Sequence, residues 1–113
     1  MLQPPRQFLL DLYTAAVSAV SAEKSLPSFL PEPPKQGRTI VIGTGKGAAA
    51  MAKTVEQHWP GKISGLVVTR YGHGADCKQI EVIEASHPVP DEAGRKAAAR
   101  MLAMVNGLTK DDL

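Results

Sequence analysis

Near the amino terminus, Phe8, Leu9, Leu12, Ala15, Ala16, Ala19 and Val20 recur at helical spacing, while Asp11, Ser18 and Ser21 fall off that stripe. The pattern predicts a helix over residues 1–24, opened by Pro4-Pro5, where missing N–H donors do no harm, and packed on a sheet. Residues 25–38 break the period. Pro27, Pro31, Pro33 and Pro34 argue against helix or paired strand, and Leu26, Phe29 and Leu30 predict a linker lying on the protein. A β-branched run, Thr39–Ile42, then meets the glycines of Gly43-Thr44-Gly45-Lys46-Gly47, and a helical stripe of Ala48, Met51, Ala52, Val55 and Trp59 follows. These residues predict a first strand and a helix from about Lys46 to Trp59, closed by Pro60-Gly61. Ile63–Arg70 reads as a second buried strand and Gln79–Ala85 as a third. Asp91 is the expected N-cap of a last helix, about Asp91–Asn106, with Ala93, Ala97, Met101 and Met104 as its apolar stripe and Gly107 as its stop.

The order helix, strand, helix, strand, strand, helix fits an α/β fold, a Rossmann-like layered sheet with helices on both faces. The connection Gly72–Lys78 is the difficulty. It is shorter than the roughly dozen residues that a parallel crossover usually takes, so an antiparallel pair or non-adjacent strands are the alternatives. A doubly wound sheet would place a further strand after Leu108–Asp112, and residues 1–113 read as the opening piece of a larger protein.

Composition narrows the function. A net charge of +2 and few aromatic residues argue against nucleic acid, and no apolar run approaches membrane-spanning length. The single Cys77 excludes an internal disulfide and cannot make a zinc site alone. The expected setting is cytoplasmic.

Two constellations could carry chemistry. The turn Gly43–Ala48 satisfies G-x-G-x-x-[GA] between a strand and a helix, where backbone N–H groups and the helix terminus attract a phosphate. Lys46 adds a full positive charge, and a lysine in so tight a turn calls for an anionic partner. No hydroxyl follows Lys46, so the P-loop pattern is absent. Arg70 ends the next strand, where an arginine suits a 2′-phosphate, so the fingerprint alone points to NADP. The second constellation is Tyr71-Gly72-His73-Gly74 with Ser86-His87-Pro88. Both stretches follow strands, and the carboxyl edge of a parallel sheet would bring His73 and His87 toward Lys46. A plain turn without ligand, and histidines that only brace loops, are the structural alternatives. His58 reads as a helix-dipole partner, Cys77 as incidental, and the methionines as core filler.

The stretches GRTIVIGTGKGAAAMA (Gly37–Ala52), VVTRYGHG (Val67–Gly74) and EASHPVPDEAG (Glu84–Gly94) resemble the amino-terminal part of the type-2 glycerate kinases, some of which are labelled hydroxypyruvate reductases. The segments LPSFLPEPPKQGR and LTKDDL fit as well. Gly47 stands where that family usually has alanine, Arg70 where it often has lysine, and Ser86 where it usually has glycine. The resemblance implies ATP-dependent phosphorylation of D-glycerate to 2-phosphoglycerate, with Mg2+, in a cleft between two α/β domains. It places the family's glycine-loop lysine at Lys46 as the catalytic residue. Gly43, Gly45, Gly47, Arg70, His73, Ser86 and His87 are then the candidates for binding substrate and nucleotide. The family's later Gly/Ser-rich loop and second catalytic basic residue lie beyond Leu113, so this stretch is expected to form one wall of the site and to be inactive alone. A homo-oligomer is compatible with this reading. An NADP-dependent reductase and a non-catalytic ligand-binding piece stand as the other two readings.

Overall fold

The computed structural model describes residues 2–113. Its elements are α1 (Pro5–Ala19), α2 (Ala22–Ser25), β1 (Ile40–Thr44), α3 (Ala48–His58), β2 (Ser64–Arg70), β3 (Ile80–Ala85) and α4 (Glu92–Met104). The three strands form one sheet in the order β1-β2-β3, and both pairings are parallel. Strand alternation assigns the two faces. Val41, Val67, Ile80 and Val82 point to one side and pack with Ala48, Ala52, Val55 and Trp59 of and next to α3. Ile83 and Ala85 point to the other, where Ala85 meets Gly94 of α4. Helices therefore cover both faces, as the evenly apolar strands predict. Leu66, Val67 and Ile80 are the largest fully buried side chains, each contributing roughly 1.5–3 kcal/mol by leaving water. At Gly65 an added Cβ would stand 2.1 Å from the Val41 carbonyl oxygen, so glycine permits the close approach of β1 and β2.

The β2–β3 pair is parallel although only residues 71–79 connect it. β2 rises roughly 20 Å, and nine residues reach about 30 Å when extended, so a nearly straight return suffices without a helix. Each end of the return is tied by a carboxylate. Glu84 Oε1 accepts from the Gly72 N–H at one end. At the other, Glu56 of α3 accepts from the backbone N–H groups of Lys78, Gln79 (2.8 Å) and Ile80 (2.9 Å). Desolvation pushes the Glu56 carboxyl up, but the three N–H donors and the Lys78 charge outweigh it and hold the group below its ordinary value. Cys77 on this return is half-buried against the core, and burial pushes its thiol pKa up.

Several expectations need correction. The amino-terminal helix is not one rod over residues 1–24: α1 ends at Ala19 and the short α2 follows. Nor does α1 lie on the sheet. It buries none of its residues, and Phe8, Leu9, Leu12 and Tyr13 are all exposed. The radius of gyration, 17.4 Å, exceeds the about 13 Å of a compact chain this long, because α1 projects from the body. The periodicity identifies an apolar stripe but carries no information on what covers it. Within the linker, Pro27–Phe29 form a single 3-10 turn, which proline tolerates at its start, and Phe29 faces solvent. Met51 is exposed, off the stripe assigned to it, while Ala49 is fully buried.

Candidate functional site

β1 ends at the glycine turn. Gly45 takes φ +121°, a conformation L side chains rarely adopt, and the space above it is open. Its N–H donates to Val68 O (3.1 Å), and the buried Thr69 hydroxyl donates to Lys46 O (3.4 Å), so β2 holds the turn from beneath. α3 then begins behind Gly47 with no side-chain cap and no acidic residue in its first turn. A helix N-terminus left in that state presents unmatched N–H groups and partial positive charge.

The parallel register brings the ends of β2 and β3 to the same edge, with Arg70 opposite Ala85. There a cavity of about 80 Å³ is lined by Thr44, Gly45, Lys46, Val68, Thr69, Arg70, Ala85, Ser86 and His87. Lys46, Arg70 and His87 stand exposed around it, and no carboxylate belongs to the lining. The arrangement favours an anion the size of a phosphoryl or carboxylate group. The larger hollow of about 350 Å³ between α2 and α3 lies away from the sheet's carboxyl edge, and that of about 470 Å³ beside Gly72 and Glu84 has no cation in its lining.

Of the candidates named from sequence, Gly45, Lys46, Arg70, Ser86 and His87 meet at this cavity. Gly43 sits inside β1 against Val67, and Gly47 precedes α3; neither lines it. His73 is also outside the lining. Its N–H closes a turn onto Arg70 O (3.1 Å), and its ring is exposed. Thr44 and Thr69 line the cavity and are not singled out by the sequence motifs. Alternation along β2 puts Thr69 on the same face as Val67, beneath the glycine turn, so that signal was available. The Tyr71 hydroxyl donates to Asp91 Oδ2 (2.7 Å), and Asp91 Oδ1 accepts from Gly94 N–H (3.1 Å) as the N-cap of α4. The Tyr71 hydroxyl, then the Gly94 N–H, lower the Asp91 carboxyl pKa. This pair ties the loop after β2 to the loop after β3. The His87–Pro88 bond between them is cis.

Among the described residues no cluster of three His, Cys, Asp or Glu could hold a metal, and the cavity lining offers no oxygen anion. These residues do not fit a Mg2+ site. Among the described residues no helix is long and apolar enough to cross a membrane.

Fold and site define an α/β unit with a parallel sheet and a glycine turn beside exposed cations at its carboxyl edge. Residues 8–113 match the family model described as a domain of unknown function, DUF4147. The chain belongs to that family, which includes glycerate 2-kinases. It is 49% identical over 109 residues to an Agrobacterium vitis protein named, provisionally, as a hydroxypyruvate reductase, covering 96% of this chain and 25% of that one. It is 33% identical over 109 residues to the D-glycerate 2-kinase of Thermotoga maritima, covering 95% of this chain and 26% of that one. The crystal structure of glycerate kinase from Thermotoga maritima superposes with a TM-score of 0.76 at 32% identity, over 94% of this chain and 26% of that one. The chain thus spans about a quarter of the length of the relatives it matches.

Proposed function

We propose that this chain supplies the phosphate-binding wall of an enzyme that transfers the ATP γ-phosphoryl group to D-glycerate, giving 2-phosphoglycerate. The observation that carries the reading is the position of Lys46. It stands on a glycine turn at an uncapped helix N-terminus and shares one anion-sized cavity with Arg70 and His87. Phosphoryl transfer develops charge on the transferring oxygens, and cations fixed beforehand stabilise it without reorganising. Lys46 would hold that group or the substrate carboxylate, and the backbone N–H groups of the turn would orient it. Arg70 and His87 would bind the remaining anionic oxygens. No carboxylate in this wall offers a ligand for Mg2+, so the metal ligands are assigned to the opposite wall of a two-domain cleft.

The test is a chimera in which this chain replaces the matching segment of the Thermotoga maritima D-glycerate 2-kinase. The expected result is ADP formation dependent on D-glycerate. A folded chimera that instead oxidises NADPH with hydroxypyruvate would support the reductase reading, for which Arg70 at the end of β2 is the specific observation. A folded chimera with neither activity would leave the turn as a ligand-binding or structural element only.

A further inference from the structure

We propose that Tyr71 and Asp91 are positioning residues for the anion cavity: the hydrogen bond between them fixes the stiff loop that carries His87, and so sets where His87 stands relative to Arg70 and Lys46. The inference rests on the phosphate-binding part of the proposed function, and not on which reaction follows. Neither residue lines the cavity. Arg70 needs no such support, because it is the last residue of β2 and pairs in register with Ala85. Ser86 and His87 lie past the end of β3, where no strand ladder holds them. Residues 86–90 bridge that strand end to Asp91, the N-cap of α4. Pro88 and Pro90 restrict φ within the bridge, so its course depends on where its two ends are held.

One end is β3 and the other is Asp91, which is held twice. Its Oδ1 accepts from the Gly94 N–H (3.1 Å), which fixes it to α4. Its Oδ2 accepts from the Tyr71 hydroxyl (2.7 Å), which fixes it to the residue after Arg70. A helix cap needs the first bond alone, so the second is there for something else. Tyr71 is itself anchored. Its N–H donates to Ala85 O (3.1 Å), and the Gly72 N–H donates to Glu84 Oε1. Gly72 takes φ +81°, so the chain turns away directly after Tyr71. The Tyr71 ring is 55% exposed and buries little, which leaves the hydroxyl as its main contribution. The bond to Asp91 pushes the Tyr71 hydroxyl pKa up. The same bond, then the Gly94 and Ser86 N–H groups, lower that of Asp91. A neutral donor therefore faces a charged acceptor around neutral pH, the stronger kind of hydrogen bond. The Ser86 N–H also ties the carboxylate back to the cavity lining.

The experiment titrates inorganic phosphate into this chain, with ionic strength held constant by sodium chloride, and follows the backbone amides of Gly45, Lys46, Ser86 and His87 by NMR. Tyr71→Phe removes the hydroxyl and leaves the ring and the helix cap. Asp91→Ser keeps a good N-cap but is too short to reach Tyr71. Each variant is expected to raise the Kd for phosphate at least about threefold, with Tm within about 3 °C of the wild type. The double variant is expected to lose no more than either single one, because both changes delete the same bond. A purely structural role for Asp91 would instead lower Tm in Asp91→Ser and leave Tyr71→Phe at the wild-type Kd, and that result would overturn the proposal. So would a double variant whose loss equals the product of the two single losses. Phosphate that shifts none of these amides in the wild-type chain would overturn the anion-site reading and the proposal with it, whereas equal binding by wild type and Tyr71→Phe overturns the proposal alone.

Discussion

Replacing Glu56 with glutamine tests how a nine-residue return produces a parallel strand pair. Glu56 Oε1 accepts from Lys78 N–H, and Oε2 accepts from Gln79 N–H and Ile80 N–H. The substituted amide would keep one acceptor oxygen and turn an NH2 group toward the other donors. Hydrogen bonds to a charged group contribute about 1.5–3 kcal/mol each in favourable surroundings. Glu56 is only half-buried, so solvent screening discounts this, and about 2 kcal/mol for the whole set is the working figure. In a domain of this size that corresponds to a Tm lowered by roughly 8 °C. Because the folded-state pKa is depressed, the contribution is present above the ordinary value of 4.5 and is lost as pH falls through the folded value. The wild-type chain should therefore lose stability on acidification faster than Glu56→Gln, and the two melting temperatures should converge at low pH. Thermal unfolding of both chains from pH 7 downward measures this. A difference below about 0.5 kcal/mol at pH 7, or a gap that widens on acidification, would refute the account of the crossover.

Lys46→Met in the chimeric kinase should lower kcat about a hundredfold with little change in Tm; a rise in KM alone would limit Lys46 to ground-state binding. Residues 1–113 alone, given ATP and D-glycerate, should show no turnover, since one wall cannot align donor and acceptor. Leu66→Ala, at a fully buried position, should cost about 3 kcal/mol in urea unfolding. Gly65→Ala forces a methyl group onto the Val41 carbonyl and should part β1 from β2, seen as lost amide protection in both strands.

Local rules act within a few residues, and the features they set are legible in the chain. The β-branched runs mark all three strands to within one or two residues, the Asp91 cap marks the start of α4, and the glycines with Lys46 mark the turn. Their periods and backbone preferences hold whatever surrounds them. Features set by distant partners are not legible. The parallel direction of β3 depends on a carboxylate of α3 that catches three amides more than twenty residues away. The exclusion of His73 from the cavity, and the inclusion of Thr44, follow from the register of β2 on its neighbours. The stripe on α1 is apolar, as its spacing predicts, but a stripe does not name its partner, and here the sheet is not that partner. Sequence determined which segments were strand, helix and anion-seeking turn. Tertiary structure decided which of their ends share an edge, because register and docking depend on contacts between residues far apart in the chain.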